Sequence, residues 1–352
     1  MRAISSRLLC ALAAVLIASV SSLPAQAEPI RGAGSTFAAP VIGRWAKNYE
    51  TARTDGGSYT SPDWTVDYEP VGSLAGIMRL AQPEMDFAAT DAPIPPADLA
   101  QRNLAQFPIV LGGVAIVTNI DGVAAGKLRL SGPVLADIFL GRLQNWSDPA
   151  IRALNPDLTL PDLRIALLHR KDGSGTTFAL TEYLSSVSPE WKAKFGADTL
   201  IAWPSGTGAE GSQGIVRAVA ATKGGIAYVE FGQARRASLA FATLQNRNGQ
   251  FIQPDAVGFR RAAEAADWAN ARDFFVKLTD LSGEGVYPIA AATFVVVPRN
   301  RAAGRIARVH DLFRLAFETG ADDATALGYL PLPAPLVDQI KRSWGNAART
   351  GG

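Results

Sequence analysis

The chain has 352 residues, of which 48% are hydrophobic and 19% are charged, and this is the composition of a folded protein rather than a disordered one. Its length is enough for two globular lobes. The 34 basic residues nearly balance the 32 acidic ones, which excludes a general electrostatic attraction to nucleic acid or to an anionic membrane. Any function that depends on charge must therefore be local to a site.

Residues 1–27 have the pattern of a secretory signal peptide. Arg2 and Arg7 precede the apolar run 8–20, and the small-residue sequence 25–27 (AQA) supplies a cleavage site. The run is too short for a membrane span. We therefore expect an exported, periplasmic protein that begins at residue 28.

The cysteine content narrows the chemistry of the exported chain. Cys10 is the single cysteine and lies inside the apolar run of the signal peptide. Its position is that of a signal-core residue, not of a lipid-attachment site. Disulfides, thiolate metal sites and cysteine nucleophiles are therefore not expected.

Short apolar runs alternate with helical patterns along the rest of the chain, and this alternation predicts the α/β class. The predicted helices, in chain order, are 40–49, 75–81, 134–140, 176–184, 212–222, 306–317 and 336–344. The predicted strands are 66–68, 109–118 with a break at Gly112 and Gly113, 163–168, 225–230 and 293–297. Residues 51–63, rich in Gly, Ser, Thr and Asp, predict an exposed loop.

A loop rich in Gly, Ser and Thr leads directly into a helix at three places. These loops are GAGSTF at 32–37, GSLAG at 72–76 and DGSGTT at 172–177. The first turn of a helix has free backbone N–H groups and partial positive charge, and glycine lets an anion approach them. One such loop is usually only a helix cap, but three in one chain favour an oxyanion site.

Two charged residues strengthen the prediction of an oxyanion site at the third loop. Arg170 has a planar guanidinium that suits a tetrahedral oxyanion better than a lysine does. Asp172 either fixes the plane of that guanidinium or only caps the following helix.

Asp91, in the segment TDAP at 90–93, is a candidate for selecting among anions, although it could also be an ordinary turn residue beside Pro93. Phosphate near neutral pH retains an O–H that a carboxylate can accept, whereas sulfate has none. A buried polar group that the wrong ligand leaves unpaired can provide strong discrimination. Asp91 would then act against sulfate.

Other motifs give weaker signals. GTGAEG at 206–211 matches the dinucleotide-binding pattern, with Glu230 at a suitable distance for a ribose contact, but the preceding strand is poor. The alternative is a flexible loop, with Glu230 as a solvated carboxylate at a strand end. The two histidines, His169 and His310, are too few for a histidine-rich metal site and give little support to a serine triad.

The loops resemble the PstS family, the phosphate-binding proteins of phosphate-specific ABC transporters. The resemblance runs from Gly32 to about Trp344. Its most specific motifs are GAGSTF at 32–37, TDAP at 90–93, RKDGSGT at 170–176 and GIAYVE at 225–230, with support from QFP at 106–108 and ADW at 266–268.

The resemblance implies a bilobal periplasmic-binding-protein fold of type II, in which two α/β lobes joined by two crossover strands close around one dehydrated phosphate. The first lobe would comprise residues 28–110 and 283–352, and the second residues 111–282. The implied phosphate ligands are Thr36, Phe37 through its backbone N–H, Ser73, Asp91, Arg170, Ser174, Gly175 and Thr176. Asp172 would fix the plane of the Arg170 guanidinium without contacting the phosphate itself.

The implied function is that of a monomeric receptor, without cofactor or catalytic residues, that delivers phosphate to the membrane permease. Two alternatives stay open: a receptor for another protonated oxyanion, such as arsenate or a phosphate ester, and a secreted phosphate-ester hydrolase with Ser174 as nucleophile and His169 as the only nearby imidazole. The sequence departs from the family at Leu74-Ala75, where Ser-Gly is common, at His169, where a basic residue is frequent, and in the long loop 51–63.

Overall fold

Strands and helices alternate in the computed structural model, which describes residues 29–54 and 65–350. The predicted signal peptide lies outside the described residues, as does most of the predicted loop 51–63. The first elements are β1 (Ile30–Gly34), α1 (Ala39–Thr54), β2 (Val66–Glu69), α2 (Ser73–Arg79), β3 (Phe87–Thr90), α3 (Pro96–Gln101) and β4 (Leu104–Asn119).

The middle of the chain continues the alternation with shorter elements. They are β5 (Arg129–Leu130), α4 (Gly132–Phe139), α5 (Pro149–Leu154), β6 (Ala166–Arg170), α6 (Gly175–Val187), α7 (Pro189–Lys194), β7 (Thr207–Ala209), α8 (Gly211–Ala221), β8 (Gly225–Glu230), α9 (Phe231–Arg236), β9 (Ala240–Phe241), β10 (Thr243–Gln245), β11 (Phe251–Ile252) and α10 (Ala256–Ala265). The last elements are β12 (Ala290–Pro298), α11 (Ala303–Thr319), α12 (Ala321–Ala326) and α13 (Ala334–Thr350).

One curled, mixed sheet runs through the molecule in the strand order β2-β1-β3-β12-β4-β8-β6-β7. β4 pairs with β12 along residues 104–113 and with β8 along residues 114–119, so this strand passes from one lobe into the other. β12 lies antiparallel between β3 and β4, which returns the end of the chain to the first lobe. The structure is therefore bilobal and α/β, as predicted.

Apolar residues explain why β4 and β12 lie at the centre of the sheet. β12 is buried along its whole length, and β4 along most of it. Gly112 and Gly113 do not break β4, contrary to prediction. A side chain at Gly113 would lie 2.0 Å from the ring of Phe259, so glycine allows that ring to pack on the strand.

The predicted elements are found, mostly with longer bounds than expected. α1 extends to Thr54, so the first four residues of the predicted loop 51–63 are helical. β6 begins at Ala166 rather than at residue 163, and α6 begins at Gly175. Within the described part of the chain, none of the helices is long and apolar enough to cross a membrane.

Candidate functional site

The three glycine-containing loops meet where the two lobes face each other. The backbone N–H of Leu74, in α2, donates to the carbonyl of Gly173 at 3.1 Å. The N–H of Gly175, at the start of α6, donates to Ser73 Oγ at 3.0 Å. A Cβ at Gly175 would lie 2.6 Å from Asp91 Cβ, so the beginning of α6 is packed directly against Asp91. The fold therefore brings the sequence-predicted residues of both lobes together.

Strand direction explains this meeting point. β1 pairs in parallel with β2 and β3, and their carboxyl ends lead to the loop before α1, to α2 and to Asp91. β6 runs parallel to β7 and β8, and its end delivers Arg170. Ligands bind at the carboxyl ends of strands in sheets of this kind. Gly34 has φ +136 and a Cβ there would lie 2.1 Å from the carbonyl oxygen of Ala89, so the turn after β1 requires glycine.

Asp91 is a buried carboxylate held by two hydroxyl groups. Oδ1 accepts from Ser35 Oγ and from Thr293 Oγ1, each at 2.7 Å, while Oδ2 accepts from Ser35 Oγ at 2.9 Å. Burial raises the pKa of Asp91 to about 6, against the lowering effects of Ser35, Thr293 and the Arg170 guanidinium. Asp91 is thus largely ionised at pH 8, and Oδ2 retains capacity to accept a further hydrogen bond.

Arg170 is a buried cation in a fixed orientation. Its Nε donates to Asp172 Oδ1 at 2.7 Å, its Nη2 donates to Asp172 Oδ2, and its backbone N–H donates to Tyr228 Oη at 3.0 Å. Asp172 Oδ1 also accepts the N–H of Gly211 at 3.0 Å. Burial alone would raise the pKa of Asp172, but Arg170 outweighs burial and lowers it. Nη1 of Arg170 has no acceptor among the described residues, so that edge of the fork is available to an anion.

The start of α6 supplies hydroxyl groups. Ser174 Oγ caps the helix by accepting the N–H of Thr177 at 3.2 Å, which leaves its own proton free to donate. Thr176 Oγ1 is buried without a hydrogen-bond partner in the part of the chain that the structure describes. Such groups are rare in folded proteins, because an unpaired buried hydroxyl is costly. The Thr176 hydroxyl is therefore a candidate to hydrogen-bond to a ligand.

The first lobe adds further donors. Ser73 Oγ accepts the N–H groups of Asp91 and Gly175, so its hydroxyl proton is left to donate, either to the Asp91 carboxylate, whose pKa Ser73 lowers, or to a ligand. The backbone N–H groups of Thr36 and Phe37 have no acceptor among the described residues. Thr36 Oγ1 lies 2.9 Å from Ser212 Oγ, at the start of α8. The ring of Phe37 is buried in the core beside Tyr329, so only its backbone is available to a ligand.

The arrangement combines one guanidinium, several hydroxyls, N–H groups without an acceptor among the described residues and one carboxylate, and most of these groups are buried. It can hold a small tetrahedral oxyanion, since almost every ligand oxygen would meet a donor. A carboxylate among these donors would favour an anion that itself carries a proton.

Sequence reasoning missed several residues that support this site. Ser35 lies in the first glycine loop, and its place in that motif was an available signal. Thr293, Ser212 and Gln233 come from distant segments, and nothing in their local sequence marks them. Tyr228 was included only as part of the GIAYVE motif, yet its hydroxyl also contacts Thr177 Oγ1 at 2.7 Å.

The alternative motifs have structural roles. Residues 206–211 run through β7 into α8 rather than forming a strand-to-helix phosphate loop. Glu230 is fully buried, which corrects the expectation of a solvated carboxylate. It caps α9 by accepting the N–H groups of Gly232 and Gln233, and burial raises its pKa to about 7.

Both histidines pack against tryptophans. The His169 ring stacks on Trp203 at a centroid distance of 4.9 Å, and burial lowers its pKa. The His310 ring stacks on Trp344 at 4.4 Å, and burial lowers its pKa to about 4. Neither ring is hydrogen-bonded to Ser174.

Comparison with known proteins agrees with this architecture. A model described as the PBP superfamily domain matches residues 19–307. The phosphate-bound structure of the high-affinity periplasmic phosphate-binding protein PfluDING covers 90% of this chain and 93% of its own, with a TM-score of 0.65 and 22% identity. The class of protein is therefore that of the bilobal periplasmic binding proteins.

Curated relatives give a narrower assignment. The phosphate-binding protein PstS of Xylella fastidiosa is 42% identical over 333 residues, covering 93% of this chain and 89% of the relative. PstS of Pasteurella multocida is 41% identical over 330 residues, covering 94% and 93%. The chain belongs to the PstS family of phosphate-binding proteins.

Proposed function

We propose that this protein binds inorganic phosphate between its lobes and delivers it to the permease of an ABC transporter. The observation that carries the proposal is the buried Asp91 carboxylate set among hydrogen-bond donors. A site made only of donors would accept any oxyanion of the right size. A carboxylate with an available Oδ2 favours an anion that keeps an O–H near neutral pH, as phosphate does and sulfate does not.

The proposed ligand set divides between the lobes. The first lobe contributes the N–H groups of Thr36 and Phe37, the hydroxyls of Thr36 and Ser73, and Asp91. The second contributes Arg170, Ser174, Gly175 and Thr176, with Asp172 orienting Arg170. The N–H of Gly175 donates to Ser73 Oγ in the structure, and the absence of a side chain at Gly175 allows α6 to approach Asp91 closely.

We propose that the lobes comprise residues 28–110 with 283–352, and 111–282. The change of partner in β4, from β12 to β8 after Gly113, supports a crossover close to the first of these limits. Contacts between Ser73 and Gly175, and between Leu74 and Gly173, would form when the lobes close around the ligand.

The proposed setting is the periplasm, reached through the signal peptide 1–27. There the protein would act as a monomeric receptor without catalysis. The names of the PstS relatives support phosphate as the ligand. Arsenate shares the protonation and shape of phosphate, so it is expected to bind as well.

A hydrolase is a weaker candidate for this site. Ser174 Oγ is used as a helix cap, and His169 stacks on Trp203 instead of activating it. Turnover of a chromogenic phosphate ester that is lost in Ser174→Ala would establish that activity.

Isothermal titration tests the receptor function. The protein, stripped of bound phosphate, is titrated with phosphate and then with sulfate at pH 8. We expect saturable one-to-one phosphate binding and no sulfate response. Arg170→Ala should weaken phosphate by at least about 100-fold, because charge-assisted hydrogen bonds are lost, while the exposed Arg261→Ala should not. No phosphate binding by the unmodified protein would refute the proposal.

A further inference from the structure

In the loop before α1, side chains donate hydrogen bonds to the carbonyl oxygens of three consecutive residues, 35–37. The carbonyl of Ser35 accepts Tyr68 Oη at 2.9 Å, and that of Thr36 accepts Gln233 Nε2 at 2.9 Å. The carbonyl of Phe37 accepts Tyr329 Oη at 2.6 Å and lies 3.3 Å from the same Gln233 nitrogen. These three side chains come from β2, α9 and the segment before α13.

The covalent geometry of the peptide gives these contacts a consequence. A carbonyl and the following N–H belong to one planar unit and point in opposite directions. A donor on the Ser35 carbonyl therefore orients the N–H of Thr36, and a donor on the Thr36 carbonyl orients the N–H of Phe37. These are the two N–H groups without an acceptor among the described residues.

We infer that Tyr68 and Gln233 are positioning residues that direct the N–H groups of Thr36 and Phe37 into the anion site. Tyr329, on the Phe37 carbonyl, instead orients the N–H of Ala38, which donates to Ser35 Oγ at 3.1 Å. This inference rests on the proposed function. Tyr68 and Gln233 need no contact with the anion. They reduce the reorganisation that binding requires, and donation to each carbonyl polarises the amide and makes its N–H a better donor.

Gln233 is the more constrained of the two. Its side chain is 3% exposed, and its Oε1 accepts Gln213 Nε2 at 3.3 Å, which directs Nε2 toward the loop. The N–H of Gln233 is itself fixed by Glu230 Oε2 at 2.9 Å. Gln233 lies on α9, in the second lobe, and its acceptors lie in the loop before α1, in the first lobe. The second lobe therefore helps to fix the conformation of that loop.

The test replaces Gln233 with methionine, which keeps the length of the side chain and removes the donor. Gln245→Met is the matched control, because Gln245 Nε2 also donates to a backbone carbonyl, that of Gly249, at 3.2 Å. Phosphate affinity is measured by titration at pH 8. We expect Kd to rise about tenfold in Gln233→Met, the effect of about one hydrogen bond, and to stay unchanged in Gln245→Met.

Nuclear magnetic resonance separates positioning from a general structural effect. Labelling threonine at the carbonyl carbon with ¹³C and phenylalanine with ¹⁵N selects the three Thr-Phe amides, at Phe37, Phe178 and Phe294. We expect the phosphate-bound Phe37 amide proton to resonate at higher field in Gln233→Met than in the unmodified protein. The Phe294 amide, within β12, should not move.

Tyr68→Phe provides a second test if Gln233→Met does not fold. Ser35-Thr36 is the single Ser-Thr pair in the chain, so ¹³C-serine and ¹⁵N-threonine report the Thr36 amide alone. A weaker phosphate affinity with a shifted Thr36 or Phe37 amide supports the inference. An unchanged affinity, or a weaker affinity with both amides unshifted, overturns it. Failure of the unmodified protein to bind phosphate is a separate result that refutes the proposed function.

Discussion

Replacing Asp91 with asparagine changes one buried oxygen into a hydrogen-bond donor without changing the shape of the side chain. Oδ1 accepts two hydroxyls, from Ser35 and Thr293, so the amide oxygen should take that position. The amide nitrogen then takes the position of Oδ2, the oxygen with spare capacity. An acceptor for a protonated anion becomes a donor to an unprotonated one.

The magnitude follows from the hydrogen bonds involved. A hydrogen bond with a charged partner contributes about 1.5–3 kcal/mol, and 1.4 kcal/mol corresponds to tenfold in affinity. Sulfate should therefore gain about 10- to 100-fold in affinity in Asp91→Asn. Phosphate should change by less than about tenfold, because it can turn an unprotonated oxygen toward the amide.

Titration with both anions at pH 8 measures the ratio of the two dissociation constants. Asp86→Asn is a suitable control, because Asp86 is also buried in the first lobe but pairs with Arg305 Nε, at 2.7 Å. That variant should lose stability without a change in the ratio. If sulfate binding remains undetectable in Asp91→Asn while phosphate still binds, then Asp91 is not the residue that excludes sulfate.

Three further predictions concern the same region. Thr176→Val should raise the phosphate Kd about tenfold, as measured by titration. The Tm of the phosphate-free protein should stay equal or rise, because the buried hydroxyl has no partner among the described residues. A lower Tm with unchanged affinity would contradict this. Gly175→Ala should keep the lobes apart, since a Cβ there would lie 2.7 Å from Ser73 Oγ and 2.6 Å from Asp91 Cβ. Small-angle scattering should then show no contraction on addition of phosphate. Contraction equal to that of the unmodified protein would refute the proposal that the lobes close at Gly175. Burial raises the pKa of Glu230 from 4.5 to about 7, so its contribution to the free energy of unfolding is present below about pH 4.5 and is lost as the pH rises through 7. Glu230→Gln should remove that part of the pH dependence, at most about 3 kcal/mol in urea unfolding, and an identical slope in both proteins would argue against a raised pKa.

The sequence was sufficient to predict the α/β class and to identify the glycine loops and Arg170 as site candidates, because each depends on a local pattern. Asp91 was identified from its loop, but the residues that hold it could not all be. Thr293 lies 202 positions away and reaches Asp91 only because β12 inserts beside β3. Glu230 was misjudged for the same reason, since it is buried beside residues distant in sequence, such as Tyr329, and no local pattern reveals that contact.

The side chains that hydrogen-bond to the carbonyls of the loop before α1 could not be predicted from the sequence either. Gln233 lies 197 residues from Thr36, and a glutamine on a short helix has no distinguishing local signal. Hydroxyl-rich loops can be read from the sequence because the same residues both cap a helix and bind an anion. Side chains that act through a backbone carbonyl require the three-dimensional contact to be known.

The central position of β12 also has a consequence for the order of folding. Residues 290–298 separate β3 from β4 in the finished sheet, so the strands of the first lobe cannot join until almost the whole chain has been synthesised. Contacts so distant in sequence slow folding, and we expect the first lobe to stay incomplete while the second can already assemble. A chain that ends at residue 289 should therefore leave β3 and β4 with unpaired edges and fail to bind phosphate.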